Sequence, residues 1–276
     1  MGTSTVKARA GRIGAAGAVA LLMSLAGAPT TAMAATNGVA RVDDGAHAVY
    51  YAAGQGFTNE VAITDGPGAG ESEWLTRIDD RVPITAGTGC RHPNAADKTV
   101  VECLLHEFGD FWIRIDIRLG DRNDRLLMDA GNENTVRAGS GNDVLRLTGH
   151  ETAYGEAGND LISGAAIAKG GDGNDRITII TSGSAYGDDG SDVLLGDERG
   201  DMLAGGPGDD QIVAAGGKDV VFGNSGDDLI RGGTESDQLS GGPGDDVIYG
   251  NSGNDLLIGG PGTDQLSGGP GRNTIR

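Results

Sequence analysis

The chain has 276 residues, 51 of them glycine, with only 4% aromatic residues and a formal charge of −19. So much glycine with so few bulky side chains excludes a conventional packed core along most of its length. The absence of a three-residue glycine period excludes a collagen-like fibre, and the acidity disfavours nucleic acid and anionic lipid as partners, since both need a basic surface.

At the front, Lys7, Arg9 and Arg12 precede an apolar, small-residue run from Ile13 to Ala28, and Ala32-Met33-Ala34 has the small-x-small form of a cleavage site. Residues 1–34 therefore read as a secretory signal peptide with cleavage expected after Ala34. The run is shorter than the ~20 apolar residues of a membrane span. No cysteine lies near the cleavage site to carry a lipid, and Val6 stands where a myristoylation signal needs Ser or Thr. Losing three basic residues takes the formal charge from −19 to −22. The expectation is an exported, extracellular, soluble protein with no membrane span.

Residues 35–118 contain no repeat but hold both cysteines, both tryptophans and all four phenylalanines. Alternating runs at Val39-Ala40-Arg41-Val42, Trp74-Leu75-Thr76-Arg77-Ile78 and Phe111-Trp112-Ile113-Arg114-Ile115-Asp116-Ile117 predict strands. In the last of these Phe111, Ile113, Ile115 and Ile117 share one face. Gly66-Pro67-Gly68 and Thr88-Gly89 are turn signals. The segment is expected to be a small β domain joined directly, without a linker, to the remainder of the chain. Cys90 and Cys103 are the only cysteines of an exported chain, so a disulfide is the leading reading. A redox pair fits less well because the spacing is not C-x-x-C.

From about residue 119 a nine-residue pattern, G-G-x-G-x-D-x-U-x with U a large aliphatic, sets in, and it is regular from Gly187 onward. Its sixth position is Asp143, Asp160, Asp175, Asp192, Asp201, Asp210, Asp219, Asp228, Asp237, Asp246, Asp255 and Asp264, closing with Asn273. Two residues after each stands an aliphatic, from Leu145 and Ile162 through to Leu266 and Ile275. Nonapeptide repeats of this form predict an all-β fold, a parallel β-roll or β-helix solenoid. Six turn residues and three strand residues make half a coil, with the aliphatic pointing inward.

The same spacing predicts a metal. Glycines let the turn adopt backbone angles closed to other residues and aim carbonyls at one point. Adjacent coils lie ~4.8 Å apart, so each carboxylate nears the turn of the next coil. Calcium takes six to eight oxygen ligands. The regular repeats contain neither Cys nor His, which leaves zinc and copper poorly served.

With these residues in view, the chain resembles the RTX, or haemolysin-type, calcium-binding repeat family over 119–276. The resemblance implies several Ca2+ ions held between turns on the same side of consecutive coils. Carried onto this sequence, the carboxylates are Asp192, Asp210, Asp228, Asp246 and Asp264 on one side, with Asp143, Asp160 and Asp175 continuing it upstream. Those of Asp201, Asp219, Asp237 and Asp255 lie opposite. Turn carbonyls would come from Gly205, Gly206, Gly208, Gly223, Gly226, Gly241, Gly242, Gly244, Gly250, Gly253, Gly259, Gly260 and Gly262. The second side is less regular, with Arg199 and Glu235 at position four and Ala214-Ala215 at the leading glycines. One well-formed calcium row and one patchy row are expected.

No catalytic constellation emerges. His106-Glu107 opens an H-E-x-x-H motif that Asp110 fails to complete, and no G-x-S-x-G elbow exists. Asp188-Asp189-Gly190-Ser191-Asp192 lacks the closing glutamate of an EF-hand, as Arg199 occupies its place. Gly66-Pro67-Gly68-Ala69-Gly70 lacks the context of a nucleotide loop. A non-enzymatic, secreted calcium-binding protein is therefore the first reading. The alternatives are the calcium module of a secreted enzyme or toxin, and an adhesin whose flat faces, with Gln211, Gln238, Ser240, Gln265 and Ser267, contact glycan. The chain carries an N-terminal signal where many relatives are exported through a C-terminal one. It also ends on the repeat at Thr274-Ile275-Arg276, so an open strand edge allows end-to-end self-association.

Overall fold

The computed structural model describes residues 36–43, 47–68, 73–106, 114–130 and 133–276. The signal segment 1–34, Ala69-Gly70, Glu107, Asp110 and residues 111–113 at the head of a predicted strand lie outside them. The described residues form strands and turns with no helix.

Two 13-stranded sheets run the length of the fold. From residue 114 onward the chain alternates between them, so consecutive strands of each sheet are parallel and one coil apart. In the second sheet Leu194 is in register with Ile212, Ile212 with Ile230, and Ile230 with Ile248. The first sheet stacks Leu203 on Val221, Val221 on Leu239 and Leu239 on Leu257. These are the position-eight aliphatics, all buried. Each contributes on the order of 1.5–3 kcal/mol by leaving water, and the two facing stacks make up most of the interior of the roll.

The stack also sets coil length. Between Asp192 and Asp264 the coils are 18 residues long. Upstream, the inward residues of the first sheet shrink to Ala153, Ala168 and Ala185, and the coils shorten to 17, 15 and 17 residues. Leu147 and Ile179, outside the strands, are buried in the same stretch.

Both sheets continue into the segment without repeats. Ala48–Ala52 pairs in parallel with Arg114–Asp121, and Glu60–Pro67 with Arg125–Asp129, which makes residues 48–67 one further coil. Beyond it pairing turns mostly antiparallel. Gly38–Asp43 lies on Ala48–Ala52, Glu73–Asp79 on Glu60–Pro67, and Val100–His106 on Glu73–Asp79. The predicted strands at 39–42 and 74–78 are thus present, and Ile115 and Ile117 point inward as expected. One hydrophobic cluster runs from Ala40 to Leu257 through the repeat-free segment and the roll alike. Cys90 faces Cys103 across an antiparallel strand pair, and the two form a disulfide.

Candidate metal-binding rows

From Asp143 to Asp246, each chain crossing from the first sheet to the second passes through a glycine turn that ends on a buried aspartate. In the regular turns of this row the stacking leaves no space for a side chain at position four: a Cβ on Gly208 would fall 1.9 Å from the Gly190 carbonyl oxygen, and its φ is +137°. Gly226, Gly244 and Gly262 repeat this approach at 1.8–2.0 Å.

Stacking joins the aspartates into one row. The main-chain N–H of each donates to Oδ1 of its counterpart one coil later, linking Asp124, Asp143, Asp160, Asp175, Asp192, Asp210, Asp228, Asp246 and Asp264 at 2.7–3.1 Å. Asp175 takes its place in it although the coil that leads to it is only 15 residues long. The other oxygen, Oδ2, is buried and has no partner in Asp124, Asp143, Asp160, Asp175, Asp192, Asp210, Asp228 and Asp246. Asp264, with no coil beyond it, is only half-buried.

What faces these orphan oxygens is more oxygen. A Cβ on Gly205 would fall 1.9 Å from Asp210 Oδ2 and 2.8 Å from the Gly223 carbonyl. On Gly223 it would fall 2.1 Å from Asp228 Oδ2 and 2.8 Å from the Gly241 carbonyl. Gly241 and Gly259 crowd the carboxylates of Asp246 and Asp264 in the same way, at 2.0 and 2.1 Å, and Gly250 that of Asp255, at 2.5 Å. The position-one glycines therefore leave room for a carboxylate and a carbonyl to approach one spot. A buried oxygen without a donor costs on the order of 1–3 kcal/mol, more when charged. A bound cation removes that cost. Among the described residues no three His, Cys, Asp or Glu side chains converge on one point, so such an ion must draw on carbonyls, the hard oxygen donors that suit calcium. Gly206, Gly242, Gly253 and Gly260 hold positive φ in the same turns.

Electrostatics carry the same message. Burial first, then neighbouring acids, pushes Asp124, Asp175, Asp210, Asp219 and Asp228 up to about 7. Burial raises Asp143, Asp160, Asp192 and Asp237 to about 6, and lifts Asp201, Asp246 and Asp255 as well.

The opposite edge is different. Asp201, Asp219, Asp237 and Asp255 form the same kind of row, starting from the Gly183 amide and ending on Asn273. Orphan Oδ2 atoms occur on Asp219, Asp237 and Asp255. Oδ2 of Asp201 already accepts the Asp197 amide at 2.9 Å. Further upstream the place is held by Glu151, whose carboxylate takes bonds from Thr148, Gly149 and His150.

Sequence reasoning took Leu119-Gly120-Asp121-Arg122-Asn123-Asp124 as a weak first repeat but left Asp124 out of the ligand row, and it missed a second row one residue before the first. There Asn142 Oδ1 accepts the Asn159 amide, Asn159 that of Asn174, Asp209 that of Asp227 and Asp227 that of Asp245, at 2.8–2.9 Å. The signal was present as the recurring Asn or Asp at position five.

The fold and the carboxylate rows together define a parallel β-roll built of cation-binding turns. Residues 129–147, 146–166, 186–221, 222–257 and 240–275 match the family model of the RTX calcium-binding nonapeptide repeat, with 4 copies, so the roll carries the calcium-binding repeat of that family. Asp124 and Asp175 lie outside the matched segments. No curated protein matches the chain.

Proposed function

We propose that this chain is a secreted, non-enzymatic calcium-binding protein whose roll folds as Ca2+ fills its turns. The observation that carries this reading is the unbroken row of buried carboxylates with unpartnered Oδ2 atoms. Two like charges 4 Å apart cost about 4 kcal/mol at an effective dielectric near 20, and the aliphatic stacks are thin. Without ions the charged row opposes the fold. An ion at a hundred times its dissociation constant adds about 2.7 kcal/mol per site, and neighbouring turns share ligands, so folding is expected to be cooperative in calcium.

In this reading residues 1–34 direct export, residues 35–118 supply one further coil and a cap whose outer strands the disulfide joins, and residues 119–276 hold the ions. Among the described residues no helix is long and apolar enough to cross a membrane. Circular dichroism of the mature chain is expected to show little β structure in EDTA and a steep gain with calcium. Spectra identical in the two conditions would refute the proposal, and the exported protein should begin at Ala35.

A second reading, glycan contact by a flat face, draws on a row along the outside of the first sheet. Arg137 lies 5.1 Å from the Tyr154 ring centre and Lys169 lies 5.3 Å from that of Tyr186, with all four in register. Binding of the calcium-loaded protein to immobilised acidic glycans, lost in Tyr154→Ala, would favour it.

A further inference from the structure

We propose that Asp124 holds a calcium ion in a turn ahead of the matched repeats, and that the side-chain amide of Asn59 ends the row by standing where the next ion would be. The proposal rests on the calcium reading above and extends it to residues that no repeat match covers.

Asn59 occupies a row position in every backbone respect. Its N–H donates to Asp124 Oδ1 at 2.6 Å, as Asp124 N–H does to Asp143. Its carbonyl accepts from Arg125 as that of Asp124 accepts from Val144. Val61, two residues on, is inward and stacks on Leu126.

Its side chain meets the oxygens that a carboxylate would meet. Asn59 Nδ2 has Asp124 Oδ1 at 3.0 Å, the Gly54 and Leu119 carbonyls at 3.3 Å and the Phe57 carbonyl at 3.4 Å. Gly54 and Leu119 precede Asn59 and Asp124 by five residues, the offset of Gly205 from Asp210 and of Gly223 from Asp228. The position-one carbonyl of the following coil, which stands near the row carboxylates at Gly205 and Gly223, is thus also present at Asn59 as that of Leu119. Four acceptors around one atom fix the amide with nitrogen inward. Where the row carries aspartate, an oxygen fills this place and a cation is required. At Asn59 the amide nitrogen supplies the donors itself, and only its Oδ1 is left buried without a partner.

The row is closed beyond that point as well. The next buried carboxylate, Asp80, accepts the Glu60 amide on one oxygen at 3.1 Å and the Tyr51 hydroxyl on the other at 2.5 Å. It has no oxygen left for an ion. Asp124 does: Asn59 bonds only its Oδ1, while Oδ2 is buried without a partner. Asparagine also takes row positions on the opposite edge, there with Oδ1 accepting a main-chain amide. Asn134 accepts the Ile115 amide and donates to the Ala130 carbonyl, and Asn273 accepts the Asp255 amide and donates to the Gly269 carbonyl.

Native mass spectrometry of the mature protein in calcium counts the ions directly. Asp124→Asn is expected to lose one ion and stay folded, and Asn59→Asp to gain one and to need calcium for the fold of its cap. An unchanged count in either variant overturns the proposal, and so does a failure of Asn59→Asp to fold in calcium, since an ion should replace the bonds of the amide. A wild-type protein that takes up no calcium would instead sink the calcium reading itself.

Discussion

The main-chain N–H of Asp192 donates to Oδ1 of Asp210, one coil later, at 2.8 Å. This single bond ties the carboxylate to the coil stack and leaves its second oxygen facing carbonyls. The aspartate is a structural strut through one oxygen, and the other is left open to a cation.

That division makes the fold sensitive to pH when calcium is removed. The row carboxylates titrate near 6–7 in the folded roll, raised by burial above the ordinary value of 3.8. The folded state therefore binds protons that the unfolded chain has already released, and stability falls as pH rises through 6–7. Protons should do part of the work of calcium. In EDTA, circular dichroism is expected to show more β structure at pH 5 than at pH 8, with little difference when calcium is present. A signal that grows with pH in EDTA would contradict this.

Two glycines separate conformational need from mere composition. Gly208→Ala forces a Cβ to within 1.9 Å of a main-chain oxygen at a φ of +137°, and is expected to cost on the order of 3 kcal/mol, seen as a higher calcium midpoint for folding. At Gly66 a Cβ meets nothing within 4 Å, so Gly66→Ala should change stability by less than about 0.5 kcal/mol. Equal effects from the two substitutions would show that turn stacking is not what position four protects.

Legibility in the sequence followed how local each determinant was. Position eight and the turn glycines act within one repeat and on the next coil, so the nine-residue period announces both the roll and its acids. Asp124 escaped because Leu119 and Arg122 stand where its turn would show the glycines of positions one and four. Asn59 has no repeat around it, and its role exists only once Glu60–Pro67 pairs with Arg125–Asp129. That pairing joins strands some 65 residues apart, which no local pattern encodes.

The disulfide tests the cap separately from the roll. Cys90 and Cys103 close a loop of 13 residues between adjacent strands, worth about 3 kcal/mol by loop entropy. Cys90→Ser with Cys103→Ser should lower the melting temperature of the calcium-loaded protein while leaving its ion count unchanged. A lower count would mean that the strand pair positions a metal turn directly.

The two edges of the roll differ in what they can bind, and the contrast between Asp201 and Asp219 isolates the reason. They are neighbours in one row, one coil apart, and each accepts a main-chain amide on Oδ1 at 2.8–2.9 Å. Oδ2 of Asp201 also accepts the Asp197 amide, whereas that of Asp219 accepts nothing. An oxygen already paired gains little from a cation, while an orphan gains the full cost of its burial. Asp219→Asn is therefore expected to remove one calcium ion, and Asp201→Asn to remove none, with ions counted by native mass spectrometry. Loss of an ion in both variants would mean that position in the row, rather than the unpartnered oxygen, decides occupancy. Retention of the ion in Asp219→Asn would deny the orphan oxygen its role as ligand.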